Sequence, residues 1–207
     1  EMSFWTQEEY EKFIAVIKDK PQSFYAFEIL YWCGLRMGEL LALTKEKFDF
    51  NTNTLKVDES LQKIDGENII TPPKTKKSIR KIVMPDFLAE EIQNYLDGFY
   101  KLKSKDLIFT FSKSYLHHEM DRGAKKANVK RIRVHDLRHS HVSLLIELGF
   151  SATAIADRVG HESIDITYRY AHLFPSKQNE MADTLSQMRS SKQNDWDSLL
   201  KEDEDDI

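Results

Sequence analysis

A single cysteine, Cys33, is all the thiol chemistry this 207-residue chain contains, so no internal disulfide can form. That scarcity points to a reducing compartment, the cytoplasm. Beside Gly34, Cys33 reads as a small buried hydrophobe, the habit of free cysteine. No apolar run approaches the roughly 20 residues a membrane-spanning helix needs, so a soluble protein without a membrane partner is expected. No internal repeat is visible. An initiator methionine is missing too: the chain starts at Glu1, and a natural N-terminal portion is expected to be absent. With 41% apolar residues the chain can still bury a real core, as one domain or one domain with extensions.

Net positive charge is also lacking, at −4 overall, but placement matters more than the sum. Residues 195–207 hold seven acids and one base, and setting them aside turns the balance to +2. Residues 72–82 carry Lys74, Lys76, Lys77, Arg80 and Lys81 with no acid. Residues 122–138 carry Arg122, Lys125, Lys126, Lys130, Arg131, Arg133 and Arg138 against Asp136 alone. Basic segments with a segregated acidic tail suit a polyanion-binding face.

Thr6-Gln7-Glu8-Glu9 has the form of a capping box and predicts a helix to about Lys18. A second helix is expected over about 23–33, interrupted by Gly34, and a short third over 37–43. Between Phe48 and Met84 the pattern turns to short β-rich runs at 54–57, 67–70 and 79–83, read as one antiparallel sheet of about three strands with Lys74 in the last turn. Helices are expected again at about 86–100, 114–127, 135–148, 152–159, 163–173 and 176–190. Gly149 and Gly160 fall where helix ends need them, and Ser151 and Ser163 where caps do. The fold class expected is mixed, mainly α with a small antiparallel β-sheet.

Arginines, histidines and a late tyrosine form the chemical set. Arg36 lies at a break between helices. His135 and Arg138 are spaced i, i+3 and share one helix surface. His161 follows Gly160, and Tyr170 comes nine residues later. A guanidinium offers a planar, permanently charged fork to two phosphate oxygens. Breaking a phosphodiester requires such fixed donors, a nucleophile, and an acid for the leaving oxygen. A phenol, with an ordinary pKa of about 10, needs nearby cations or bases to attack. Lys74 suits the acid role, although Lys76 and Lys77 compete for it locally. His141 falls within an apolar stripe of Leu137, Leu144, Leu145 and Leu148, and reads as a core histidine with a hydrogen-bond partner. Ile164, Tyr168 and Ala171 follow i, i+4, i+7, so Tyr168 reads as buried and structural, with Tyr170 facing elsewhere. His139 is four residues beyond His135, but no HExxH pattern or carboxylate cluster completes a metal site.

With these residues placed, the chain resembles the catalytic domain of the tyrosine recombinase (phage integrase) family. The segments that carry the likeness are Cys33-Gly34-Leu35-Arg36-Met37-Gly38-Glu39-Leu40, Pro73-Lys74-Thr75-Lys76-Lys77-Ser78-Ile79-Arg80, His135-Asp136-Leu137-Arg138-His139-Ser140, and Val159-Gly160-His161-Glu162-Ser163 through Tyr170-Ala171-His172. The likeness spans about residues 4–185. It implies that Tyr170 attacks a DNA phosphate to form a 3′-phosphotyrosine and free a 5′ hydroxyl. Arg36 and Arg138 would hold the non-bridging oxygens and His161 would add a hydrogen bond. His135 would manage the tyrosine proton, Lys74 would protonate the leaving oxygen, and Glu39 would support the site. Lys76, Lys77, Arg80, Lys125, Lys126, Arg131 and Arg133 are the candidate DNA contacts. The resemblance requires no metal or other cofactor. It implies double-stranded DNA as partner, a homotetramer on paired DNA sites and a monomer when free, and an accessory excision factor.

On this reading residues 1–190 form the catalytic domain and 191–207 an acidic tail, whose Trp196, Leu199 and Leu200 are expected to dock on a neighbouring protomer. Two other classes remain open. A type IB topoisomerase-like or telomere-resolving enzyme would share the phosphotyrosine chemistry. A non-catalytic DNA-binding module is suggested by the junction at Leu148-Gly149-Phe150-Ser151, which has the look of a helix-turn-helix, but it leaves Arg36, His161 and Tyr170 unexplained.

Overall fold

The computed structural model describes residues 3–64, 67–73, 75–168, 170 and 181–187. Lys74, Ala171, His172 and the tail at 191–207 lie outside them. The chain divides into two units, Glu1–Leu173 and Phe174–Ile207; of the second, residues 181–187 are helical.

Helix α1 (Gln7–Ile17) opens on the expected capping box: the Glu9 amide donates to Thr6 Oγ1 at 3.3 Å, and the Thr6 amide to Glu9 Oε2 at 2.9 Å. Its buried stripe is Tyr10, Phe13 and Ile17. Helix α2 (Pro21–Cys33) starts on a proline, is apolar on most sides and runs through the core. Gly34 ends it at φ +63°, a left-handed corner that a side chain resists. That corner sends the chain through Arg36 into α3 (Met37–Leu41). Cys33 is buried, as expected, and burial pushes its thiol up to about 12.

Five strands follow: β1 (Phe48–Asp49), β2 (Thr54–Val57), β3 (Ser60–Ile64), β4 (Glu67–Thr71) and β5 (Arg80–Val83). They form two antiparallel sheets rather than one. The first has the order β1-β2-β5, with Leu55 opposite Ile82 and Val57 opposite Arg80; the second is the hairpin β3-β4, with Leu61 opposite Ile70. The run at 67–70 was expected beside its sequence neighbours at 54–57 and 79–83. It pairs instead with 60–64, across Asp65-Gly66, a dipeptide suited to a two-residue hairpin. Nearby partners close the smaller loop. β5 is thereby left to pair directly with β2, which brings Arg80 into the interior.

The later helices are α4 (Asp86–Asp97), α5 (Lys113–Ala127), α6 (Asp136–Glu147), α7 (Ala152–Val159) and α8 (Ile164–Tyr168). Ser112 and Ser151 cap α5 and α7, and Gly160 closes α7 at φ +68°. No helix among the described residues is long and apolar enough to cross a membrane.

Two expectations about buried faces are corrected. On α6 the buried residues are Asp136, Leu137, Arg138, Ser140, His141, Val142 and Ile146, whereas Leu148 is 64% exposed. The helix is turned to bring its polar residues inward, and Leu148 falls at its C-cap. On α8 the inward side chain is Thr167; Tyr168 is 53% exposed while Tyr170 is 2% exposed. The apolar i, i+4, i+7 pattern yields there to the hydrogen bond that Thr167 makes with His161.

The Gly34 corner is unforgiving. A Cβ there would lie 2.6 Å from His141 Cδ2, on a backbone already left-handed. Gly34→Ala is expected to lower stability by about 1–3 kcal/mol, read as a fall in the denaturant midpoint.

Candidate active site

The chain leaving Gly34 places Arg36 at the N-cap of α3, where its side chain half emerges. Glu39, one turn on, is buried and holds it: the Arg36 amide donates to Oε2 at 2.9 Å and Nη1 to Oε1 at 2.8 Å. Arg36 Nη2 also donates to the Gly160 carbonyl at 3.3 Å, tying α3 to the end of α7. From β5, Arg80 reaches the same carboxylate with Nη2 at 2.9 Å and Nη1 at 3.2 Å. Burial pushes the Glu39 carboxyl up, but the hydrogen bonds and charges of Arg80 and Arg36 outweigh it and hold it below the usual range.

Arg80 is therefore not on a DNA-facing surface. It is 8% exposed and also donates to the carbonyls of Ser78 and Arg158. Pairing of β5 with β2 turns it inward. Arg158, which the sequence reading passed over, makes a second interior clamp. It donates to the Trp32 and Val83 carbonyls and, through Nε at 3.1 Å, to His141 Nε2. His141 is thus the core histidine expected.

Arg138 comes from α6 and is 3% exposed. Its Nη1 donates to the Gly34 carbonyl at 2.7 Å, while Nη2 is buried with no hydrogen-bond partner among the described residues. Burial first, then the charges of Arg36 and Arg80, push its guanidinium down to about 9. A buried cationic donor without an acceptor is costly, and its geometry suits an anion. His161 sits on the turn after Gly160 and accepts or donates at Nδ1 with Thr167 Oγ1, 2.8 Å away. Burial, then Arg138, Arg36, His139 and Arg80, push it down to about 3. A neutral His161 whose Nδ1 accepts from Thr167 carries its hydrogen on Nε2, ready to donate.

Tyr170 is buried, with its phenolic oxygen in hydrogen-bond contact with Nδ1 of His139. It lies near enough for its charge to act on Arg138. His135 is exposed at the N-cap of α6, its ring edge-on to that of His139 at 5.2 Å. Beside Arg36 opens a cleft of about 290 Å³ whose lining includes Glu39, Ser60, Pro73, Thr75 and Glu162. Pro73 and Thr75 flank Lys74 in sequence. The fold thus gathers Arg36, Glu39, His135, Arg138, His161 and Tyr170 into one region.

The candidate DNA contacts are scattered. Lys77 is exposed, with Nζ donating to the Glu162 carbonyl at 3.1 Å. The side chain of Lys76 is not described. Lys125 and Lys126 are exposed on α5, Arg131 pairs with Asp121 at 2.7 Å, and Arg133 pairs with Asp136 at 2.8 Å. Among the described residues no cluster of His, Cys, Asp or Glu is suited to a metal ion.

Solved structures share this architecture. The Tn1549 transposon integrase in complex with circular intermediate DNA aligns with a TM-score of 0.75 at 21% identity, over 91% of this chain and 67% of that one. The catalytic domain of bacteriophage HP1 integrase aligns at 0.62 and 18%, over 89% and 95%. The fold is that of tyrosine recombinase catalytic domains. The sequence model of the phage integrase family matches residues 3–177, and the chain belongs to that family. It is 34% identical over 202 residues to the ICEBs1 integrase of Bacillus subtilis (strain 168), covering 90% of this chain and 55% of that protein. It is 28% identical to the integrase of Staphylococcus phage L54a, over 79% of this chain and 51% of that one. The chain spans about half the length of the curated relatives it matches.

The buried histidines make the fold sensitive to acid. His141 is pushed down to about 3 from the usual 6.5 by burial, then by Arg158 and Arg138. An unfolded chain binds that proton more readily, so the stability His141 contributes is present above about pH 6.5 and is lost as pH falls toward 3. The melting temperature should fall between pH 7 and pH 4, and His141→Gln should remove part of that fall, by thermal melts at each pH.

Proposed function

We propose that this chain is the catalytic domain of a site-specific DNA recombinase of a phage or integrative mobile element. It breaks and rejoins double-stranded DNA through a 3′-phosphotyrosine at Tyr170. The observation that carries this reading is a buried phenol in contact with a histidine, beside an arginine whose Nη2 is left without a partner among the described residues. Arg36 and Arg138 hold the non-bridging phosphate oxygens and His161 donates a hydrogen bond. By the family resemblance His135 manages the tyrosine proton, and Lys74 protonates the leaving 5′ oxygen. Glu39 fixes Arg36. Preorganised positive donors facing the charge that develops in the transition state supply the rate enhancement. The phosphotyrosine bond stores the energy for rejoining, so no cofactor enters.

Lys76, Lys77, Lys125, Lys126, Arg131 and Arg133 meet the DNA backbone. The protein works in the cytoplasm as a homotetramer on paired sites, a monomer when free, with an accessory factor for excision. Integrases of an integrative element and of a phage among the relatives support this choice over relaxation or telomere resolution.

The test is a covalent-adduct assay with the intact protein and nicked DNA from the flanks of its own gene. Tyr170→Phe should abolish the adduct and keep DNA binding. Tyr168→Phe should keep both and change stability by less than about 0.5 kcal/mol, because its ring is exposed. Supercoil relaxation without paired-site recombination would assign a topoisomerase instead.

The tail completes the assembly. An open apolar groove of about 510 Å³, lined by Val83, Pro85, Leu145, Phe150 and Ile155 among others, offers an acceptor for Trp196, Leu199 and Leu200 of a second copy. Deleting residues 191–207 should leave the adduct and weaken assembly on paired sites, seen by gel shift; unchanged assembly removes the docking role.

A further inference from the structure

We propose that His139 is the catalytic base that takes the phenolic proton of Tyr170, with Asp136 orienting its ring. This deepens the recombinase reading and rests on it, and it moves the tyrosine proton from His135, where the family resemblance puts it, to His139. His139 Nδ1 is in hydrogen-bond contact with the Tyr170 oxygen. Other groups of the site are less suited to take that proton. The Arg138 guanidinium, close enough to feel the charge of Tyr170, has no lone pair to offer. His161 has Nδ1 engaged with Thr167. The ring of His135 is exposed and stands edge-on to that of His139, centroids 5.2 Å apart.

The far side of the His139 ring completes the case. Nε2 lies 3.8 Å from Oδ1 of Asp136, one helical turn back. That carboxylate is buried and fixed: Oδ2 accepts from the Arg133 amide at 2.9 Å, and Oδ1 accepts from Arg133 Nη2 at 2.8 Å. A negative group on the Nε2 side favours the hydrogen there, leaving the Nδ1 lone pair for the phenol. It also stabilises the imidazolium that forms on proton transfer, as the acidic member of a nucleophile–histidine–carboxylate set does. Burial, then His135, Arg133 and Arg138, hold the ring below its usual pKa against the opposing pull of Asp136, so it is neutral and accepting at neutral pH. In sequence, the spacing of His139 from His135 suggests no role for it beyond a metal pair.

The step balances. The Tyr170 O–H bond breaks and its proton passes to His139 Nδ1. The phenolate oxygen bonds to phosphorus as the bond from phosphorus to the 5′ oxygen breaks. The departing oxygen keeps the electron pair and takes a proton from the general acid assigned above to Lys74. On rejoining, the 5′ hydroxyl bonds to phosphorus and returns its proton to the Lys74 amine, the bond from phosphorus to the Tyr170 oxygen breaks, and the leaving phenolate recovers its proton from His139.

The experiment measures adduct formation on nicked DNA by the intact protein, with DNA binding followed in the same samples. His139→Gln should slow adduct formation by about 100- to 1,000-fold at unchanged DNA affinity. Placing 3,5-difluorotyrosine at position 170, a more acidic phenol that needs less help to ionise, should restore at least about tenfold of that loss. A wild-type rate for His139→Gln overturns the proposal. So does a slow variant that the fluorinated phenol does not rescue, which would mark a structural role. If His139→Gln does not fold, Asp136→Asn replaces it, with slowing of at least about tenfold and the same rescue expected; a wild-type rate there overturns the proposal equally. Absence of any Tyr170-dependent adduct in the wild type is a different result, and it sinks the recombinase reading itself.

Discussion

Four hydrogen bonds converge on the carboxylate of Glu39, two from Arg36 and two from Arg80, and the site depends on them. Taking charges out of water is costly, and attraction offsets that cost only when geometry is good and every oxygen is satisfied. Here both oxygens are. Remove Glu39 and two arginines would face each other uncompensated beside a third, Arg138. The contact also joins distant chain segments. Arg36 opens α3 and touches the Gly160 carbonyl, while Arg80 leaves β5 and reaches the Arg158 carbonyl at the end of α7. The turn that carries His161 is positioned from both sides.

Much of this was legible from residue order. The capping box at Thr6, the glycine corner at Gly34, the cap at Ser151, and the inward His141 all follow from local chemistry. What escaped the reading depends on long-range pairing. Arg80 looked like a surface cation within a basic run. Only the pairing of β5 with β2, after β4 folds back on β3, makes it an interior clamp. Asp65-Gly66 was the signal that could have separated the hairpin. Arg158 gave no signal at all, being one more basic residue at a helix end.

The tyrosines carry a related lesson. Periodicity assigned Tyr168 to the interior and left Tyr170 facing elsewhere, and the burial is the reverse. On α6, likewise, Asp136, Arg138, Ser140 and His141 are buried where a leucine stripe was expected. Apolar spacing describes helices whose only task is packing. Where inward positions are taken by groups that hydrogen-bond one another, the pattern fails, and functional sites are where such failures are expected. His139 illustrates it: judged by spacing alone it had no partner but another histidine, whereas the fold sets it between a carboxylate and a phenol.

Arg138 is held by the carbonyl of Gly34 rather than by an acid, so its charge is oriented without being neutralised. An anion that settles against it would relieve the repulsion that Arg36 and Arg80 exert on its guanidinium. Occupancy and thermal resistance are thereby linked: any polyanion bound to the folded form alone raises its melting point in proportion to the logarithm of its concentration over its dissociation constant. For this domain, such a ligand would also be a structural member.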